Sequence, residues 1–213
     1  MIGETVNADL ADSQLMAELT EVIENDARAK GKPLVVAFYG ESGSGKSVTA
    51  KALMFSLQAH GKNVVRLQMD DYFFLPPSEN SAEREGDLSR VGPREVDLEM
   101  LDRHLKELKV GADEIRHPVI DFKNNTRIVE RLCVPTPLDF ILVEGTYVNL
   151  LSQVDLRVFL ERTFEETHIH RVARMREPDS DVLKEVLKIE HQIVLGHRSQ
   201  ADHVISKDFR LLR

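Results

Sequence analysis

The chain has 213 residues, 36 acidic against 28 basic side chains, and a net charge of −8. This length suits one α/β domain with a sizeable core, and the acidic balance argues against a nucleic-acid binder that works through bulk positive charge. Cys133 is the single cysteine, so an internal disulfide is excluded and a reducing compartment fits. The start, MIGETVNADLADSQ, lacks a basic stretch leading into an apolar core, and no apolar run approaches the roughly 18 residues of a membrane span. The expectation is a soluble, cytoplasmic protein.

Residues 9–30 read as an amphipathic helix, with Leu15, Leu19, Val22 and Ile23 on one face, Gly31 as a stop and Pro33 beyond it. This N-terminal part (1–32) is expected to pack and to do no chemistry. Leu34–Tyr39 is an unbroken apolar run and reads as a buried strand. Gly40–Ser47, GESGSGKS, then fits G-x-x-x-x-G-K-[ST], and a helix follows to about Ala59. Strand, glycine loop and helix start come in the order a phosphate-binding loop requires.

Gly40, Gly43 and Gly45 let this backbone turn tightly. The segment made of Gly40, Glu41, Ser42, Gly43, Ser44, Gly45, Lys46, Ser47 and Val48 then converges its N–H groups, with the positive end of the helix, on phosphate oxygens. Lys46 can reach the β- and γ-phosphates and the Ser47 hydroxyl can hold Mg²⁺.

Asn63–Met69 is the next strand, and it ends on Asp70-Asp71-Tyr72-Phe73-Phe74. A right-handed crossover would make it parallel to the first strand, which brings Asp70 and Asp71 to the same carboxyl edge as the phosphate loop. A carboxylate there can orient an acceptor hydroxyl and take its proton, a contribution on the order of 10²–10⁴ in rate. Asp70 is the stronger candidate for base. Asp71 shares the candidacy, and an Asp pair after a strand is also a common turn former. One member of the pair suits the metal sphere.

Leu75–Val96 is polar and lacks clear periodicity, which marks a functional or disordered loop. Asp97 reads as the N-cap of a helix with Leu98, Leu101, Leu105 and Leu108 on one face, stopped by Gly111. His117–Val129 is mixed, a short strand pair or a loop. Leu138–Val143 is a third buried strand ending on Glu144-Gly145, and Val154–Leu160 is a fourth. Thr163–Glu177 and Val182–Gly196 read as helices separated by Pro178, and His203–Ser206 as a short fifth strand. The alternation specifies an α/β fold with a parallel sheet.

An apolar strand ending in an acid is the pattern of a Walker B position, so Glu144 would stand beside the phosphate loop and serve Mg²⁺. Ser47, Glu144 and Asp70 are the candidate metal residues. Arg171 and Arg174, three apart, share a helix face and could stabilise a moving phosphoryl group, an effect worth roughly 10³–10⁵ in rate. A solvated face paired with Glu165, Glu166 and Glu177 explains them equally well. His168 and His170 diverge by roughly 200° on a helix and cannot share a metal.

The chain resembles the uridine kinase and phosphoribulokinase group of P-loop kinases. The resemblance runs from about Pro33 to Asp208 and rests on GESGSGKS at 40–47, MDDYF at 69–73, PREVDLEML from Pro93, IDFKNNTR at 120–127, VEGTY at 143–147, HRVARMR at 170–176 and QADHVISKD at 200–208. It implies a P-loop NTPase fold with a five-stranded parallel core in the order 2-3-1-4-5, an acceptor-binding insertion over 75–137 and a helical lid with its following helix over 163–200, all in one domain. It implies ATP and Mg²⁺ at Lys46 and Ser47, Asp70 as base, Glu144 at the metal, and Arg171 and Arg174 as lid arginines. Asp71, Tyr72, Asp121, Asn125 and Arg127 fall in its acceptor region.

Two departures stand out. Relatives carry Asp-His-Pro where this chain has Val91-Gly92-Pro93. They also carry Tyr-Asp-Phe and a later histidine where this chain has Ile120-Asp121-Phe122 and Asn125. A site that hydrogen-bonds its substrate rejects analogues strongly, so kinase chemistry is better supported than any one acceptor. Uridine or a related nucleoside is the first acceptor, and a sugar, pantothenate-like or glycerate-like compound the alternative. A nucleotide-dependent switch or scaffold is the competing class, and the chain has no Asn-Lys-x-Asp for guanine. The expected partner is a small molecule, with neither nucleic acid nor membrane, and homo-oligomerisation is left open.

Overall fold

A computed structural model describes residues 13–30, 33–168 and 180–212. In chain order its helices and strands are α1 (Ser13–Lys30), β1 (Leu34–Gly40), α2 (Lys46–Ala59), β2 (Val64–Gln68), α3 (Pro77–Gly86), α4 (Leu98–Lys109), β3 (Glu114–Asp121), β4 (Thr126–Cys133), β5 (Phe140–Glu144), β6 (Leu156–Leu160), α5 (Asp181–His197), β7 (His203–Ile205) and β8 (Leu211–Leu212). A 3₁₀ turn, Met69–Tyr72, continues directly from β2.

β1 is buried throughout because it lies between β5 and β6, both parallel to it. β2 pairs in parallel with β5, and β7 with β6. The parallel strands therefore run β2-β5-β1-β6-β7, and β8 adds an antiparallel edge beside β7. Numbered among themselves, the parallel strands read 2-3-1-4-5. The antiparallel β8 lies beyond the five parallel strands and was not expected, since a two-residue strand carries no readable pattern.

Pleat alternation divides β1 between the two faces of the sheet. Leu34, Val36 and Phe38 pack with Leu15, Leu19 and Ile23 of α1 and with Leu53 and Leu57 of α2. Val35, Ala37 and Tyr39 pack with Leu101 and Leu105 of α4 and Val194 of α5. The sheet thus forms the middle of three layers. Asp97 caps α4 as its sequence position implies, its Oδ1 accepting the Met100 N–H at 2.9 Å.

The segment Leu75–Val96 differs from its reading as a loop, because it contains α3. That helix has no apolar stripe to read. Its one buried side chain is Arg84, which makes a bidentate pair with Glu95 at 2.6 and 3.0 Å and lies 3.6 Å from Glu190 of α5. A charged clamp holds α3 where apolar packing would hold an ordinary helix. β3 and β4 form an antiparallel hairpin longer than the expected 117–129 segment. Phe164–Thr167 is a turn, so the helix expected from Thr163 does not start there, and residues 169–179 lie outside the described residues.

Candidate active site

The parallel order brings three strand ends to one edge of the sheet. β1 delivers the phosphate loop, β2 delivers Asp70 and Asp71, and β5, between them, delivers Glu144. In the loop, Gly43 and Gly45 have φ of +84° and +104°, which side chains rarely permit. A Cβ at Gly40 would stand 2.7 Å from the Leu160 carbonyl oxygen, so the loop packs against β6 only because that position is glycine. The side chains of Ser44 and Lys46 are buried. Lys46 Nζ donates to the Glu41 carbonyl at 2.8 Å, so the ammonium is folded onto the loop it serves.

Ser47 Oγ donates to Glu144 Oε2 at 3.1 Å, and the other carboxylate oxygen accepts from Arg66 Nη1 at 3.1 Å. Glu144 is 4% exposed. Burial pushes its carboxyl up to about 7, with Asp70 adding repulsion, against the opposing pull of Arg66, Lys46 and the Ser47 hydroxyl. These influences place Asp70 and Lys46 in the same electrostatic neighbourhood as the Glu144–Ser47 pair.

One steric feature fixes that neighbourhood. Gly145 lies so close to the turn after β2 that a Cβ there would meet the Met69 Cβ at 2.2 Å. The Tyr147 N–H also points to Met69 Sδ at 3.4 Å. The ends of β2 and β5 are therefore drawn together, which sets Asp70 beside Glu144.

The expected acceptor residues are divided differently from their sequence reading. Asp70 is exposed at the edge. Asp71, its neighbour, is 7% exposed, and its Oδ1 accepts the Ile120 N–H at 2.9 Å. Burial raises the Asp71 carboxyl to about 6. It fastens the β3 strand to the β2 turn. Tyr72 is fully buried with its hydroxyl against His104 Nδ1 at 2.9 Å. Asp121 accepts bonds from Lys123 N, Asn124 N and Asn124 Nδ2, forming the hairpin turn. Asn125, at φ +50°, clasps Ser78 of α3 through both its amide atoms. Each of these three side chains is bonded within the fold. Arg127 is half-buried on β4, with Nε buried and lacking a hydrogen-bond partner among the described residues. Arg171 and Arg174 lie outside the described residues.

Sequence reasoning missed Arg66, whose pairing with Glu144 follows from the shared register of Gln68 with Glu144 on adjacent strands. An arginine in the middle of the strand VVRLQ, two residues before its end, was the available signal. It also missed Phe209, whose ring would sit 3.4 Å from a Cβ on Gly45 and carries Arg162 at 5.0 Å.

The residues fit magnesium and a nucleoside triphosphate. The buried Ser44 Oγ has no hydrogen-bond partner among the described residues, and it sits inside a loop whose N–H groups suit an anion. No group of three or more His, Cys, Asp or Glu forms a metal cage among the described residues. Mg²⁺ needs none, being held by one or two side chains, phosphate oxygens and water. The groove between α1 and α2 reaches Ser56 and His60, at the end of α2 remote from the loop, and plays no part in this arrangement.

The phosphoribulokinase / uridine kinase family profile matches residues 35–187. The chain belongs to this family. A uridine kinase of Ligilactobacillus salivarius is 27% identical over 191 residues, covering 84% of this chain and 87% of its own. Two solved structures share the fold. One, from Silicibacter sp., is provisionally named a fructose transport system kinase, with a TM-score of 0.67, 20% identity, and coverage of 85% of this chain and 94% of its own. The other is a D-glycerate 3-kinase of Cryptococcus neoformans, with a TM-score of 0.64, 15% identity, and coverage of 95% and 99%. The chain is a P-loop kinase of the uridine kinase family, and no helix among its described residues is long and apolar enough to cross a membrane.

Proposed function

We propose that this chain transfers the γ-phosphoryl group of ATP to a hydroxyl of a small molecule. The observation that carries the reading is the meeting of Ser47 and Glu144, from segments 97 residues apart, at 3.1 Å beside Lys46 and Asp70. When bound, MgATP supplies the phosphoryl group and a divalent charge for the developing negative charge. Ser47 and Glu144 would hold the metal. Lys46 leaves the Glu41 carbonyl for phosphate oxygens. Asp70, exposed at the same edge, orients the acceptor hydroxyl and takes its proton. Arg66 favours the ionised form of Glu144 against its burial and fixes the carboxylate in place. Arg171 and Arg174 are proposed to meet the transferring group, as the family resemblance implies.

Uridine heads the list of acceptors because the curated relatives carry that name. One observation favours a second reading, a smaller polyol such as a sugar or sugar acid. The positions where relatives present an aromatic ring and a histidine hold Ile120, which is 2% exposed, and Asn125, which is engaged with Ser78. A screen of ADP release over nucleosides, sugars and sugar acids tests both readings. The expected result is Mg²⁺-dependent release stimulated by one class of hydroxyl compound. No stimulation by any acceptor, with a protein partner bound only in the presence of nucleotide, would replace the kinase reading with a switch.

A further inference from the structure

Glu41 is an acid inside a loop built for anions. A carboxylate pointing into the phosphate nest would repel the ligand. Here it points elsewhere. Glu41 Oε2 accepts the Phe164 N–H at 2.7 Å, and Oε1 lies 2.8 Å from His191 Nδ1 on α5. The Phe164 ring packs edge-on against the His191 ring, centroids 5.8 Å apart. Beside this cluster, the fully buried Thr167 donates its hydroxyl to the Thr163 carbonyl of its own turn at 3.0 Å, with the Ser42 carbonyl a longer alternative acceptor at 3.3 Å. Glu41 of the phosphate loop is therefore tied both to the turn after β6 and to α5, and the adjacent Ser42 carbonyl packs against the same turn. The main-chain carbonyl of the same Glu41 receives Lys46 Nζ.

We propose that Glu41 is a positioning residue for the donor site, whose carboxylate pins the phosphate loop in its binding shape. The inference rests on the reading of this loop as the ATP site. A glycine-rich loop loses much conformational freedom when it is ordered. Charge-assisted bonds to two separate elements meet that cost before nucleotide arrives. The pin also fixes the Glu41 carbonyl, which holds Lys46 next to the nest it must enter. Glu41 touches no reacting atom in this account.

The sign of one measurement decides between the pin and simple electrostatics. If Glu41 only placed negative charge near the triphosphate, neutralising it would tighten binding. If it is a pin, cutting it weakens binding. The test is MgATP affinity by calorimetry for the wild type, Glu41→Gln, Glu41→Ala, His191→Phe and the Glu41→Ala/His191→Phe double variant, with melting temperature measured without nucleotide. The pin predicts roughly tenfold weaker binding for Glu41→Ala and a smaller loss for Glu41→Gln, which keeps an acceptor for Phe164. It also predicts a loss for His191→Phe and a double variant no worse than Glu41→Ala alone. Should Glu41→Ala fail to fold, Glu41→Gln and His191→Phe carry the same test. Unchanged or tighter MgATP binding in the folded variants would overturn the proposal, and so would lower melting with unaltered affinity, which describes a merely structural residue. A wild type that binds no MgATP would instead sink the reading of the loop, and the pin with it.

Discussion

The contact between Gly145 and Met69 gives the sharpest mutational forecast, because it ties the stability of the fold to the geometry of the site. Replacing Gly145 with alanine would place a Cβ 2.2 Å from the Met69 Cβ, 2.8 Å from its sulfur and 3.0 Å from its Cγ. Carbon atoms rest at about 3.5–4.0 Å, so the two segments must separate by about 1 Å or more. A flexible side chain could move its far end away, but the nearest atom is a Cβ, whose position the backbone sets. Overpacking of this kind costs about 1–3 kcal/mol. For a chain of this size each kcal/mol shifts melting by about 2–4 °C, so the expected fall is roughly 2–12 °C. The displaced segments carry Glu144 and Asp70, and misplacement on the order of 1 Å can cost about 10² in rate. Gly145→Ala should therefore lower both melting temperature and kcat, the latter in the fraction that remains folded. Gly196→Ala on α5 is the control, since nothing lies within 4 Å of its would-be Cβ and a helical alanine gains up to about 1 kcal/mol. Calorimetric melting and steady-state turnover read both variants. A Gly145→Ala protein with wild-type melting and kcat would refute the reasoning.

Other consequences follow from the same geometry. Asp70→Asn should lower kcat by about 10²–10⁴ while MgATP affinity and melting stay within error, since Asp70 is exposed; a comparable loss of ATP affinity would move Asp70 from the acceptor side to the donor side. Glu144→Gln should raise the Mg²⁺ concentration for half-maximal activity by at least about tenfold, read from a metal titration at saturating ATP, and an unchanged requirement would remove Glu144 from the metal site. Burial holds His104 and His117 below their ordinary 6.5. Between the folded and unfolded values the unfolded chain binds more protons, so these groups stabilise the fold above 6.5 and that stability is lost as pH falls below it. Melting temperature should drop from pH 7 to pH 5 less steeply in His104→Gln than in the wild type, and equal slopes would contradict a neutral His104 in the core.

What could be read in advance was what strong local pattern or loop chemistry encodes. Leu34–Gly40, the glycine loop and the run ending at Glu144 announce themselves, because buried parallel strands are continuous apolar runs and phosphate loops need fixed glycines. α3 stayed hidden because Arg84, through its pairing with Glu95, replaces the apolar stripe that periodicity detects. That Asp71 and Tyr72 are buried while their neighbour Asp70 is exposed was not legible either. Which of three consecutive side chains faces a site depends on the 3₁₀ turn at Met69–Tyr72, and a four-residue turn leaves no periodic trace. Asn125 illustrates a different limit. Its left-handed backbone and its clasp on Ser78, 47 residues earlier, are long-range facts that no window around it contains.

The central claim is that Ser47, Lys46, Asp70 and Glu144 form one phosphoryl-transfer site directed at a hydroxyl. The most direct measurement incubates the wild type and Asp70→Asn with Mg²⁺, isotopically labelled γ-phosphate ATP and the acceptor class that stimulates ADP release, then follows the label by mass spectrometry. The account predicts one labelled phosphoryl group on an acceptor hydroxyl for each ADP formed, with transfer by Asp70→Asn reduced about 10²-fold or more. Label appearing only as free phosphate, at the same rate in both proteins, would contradict it.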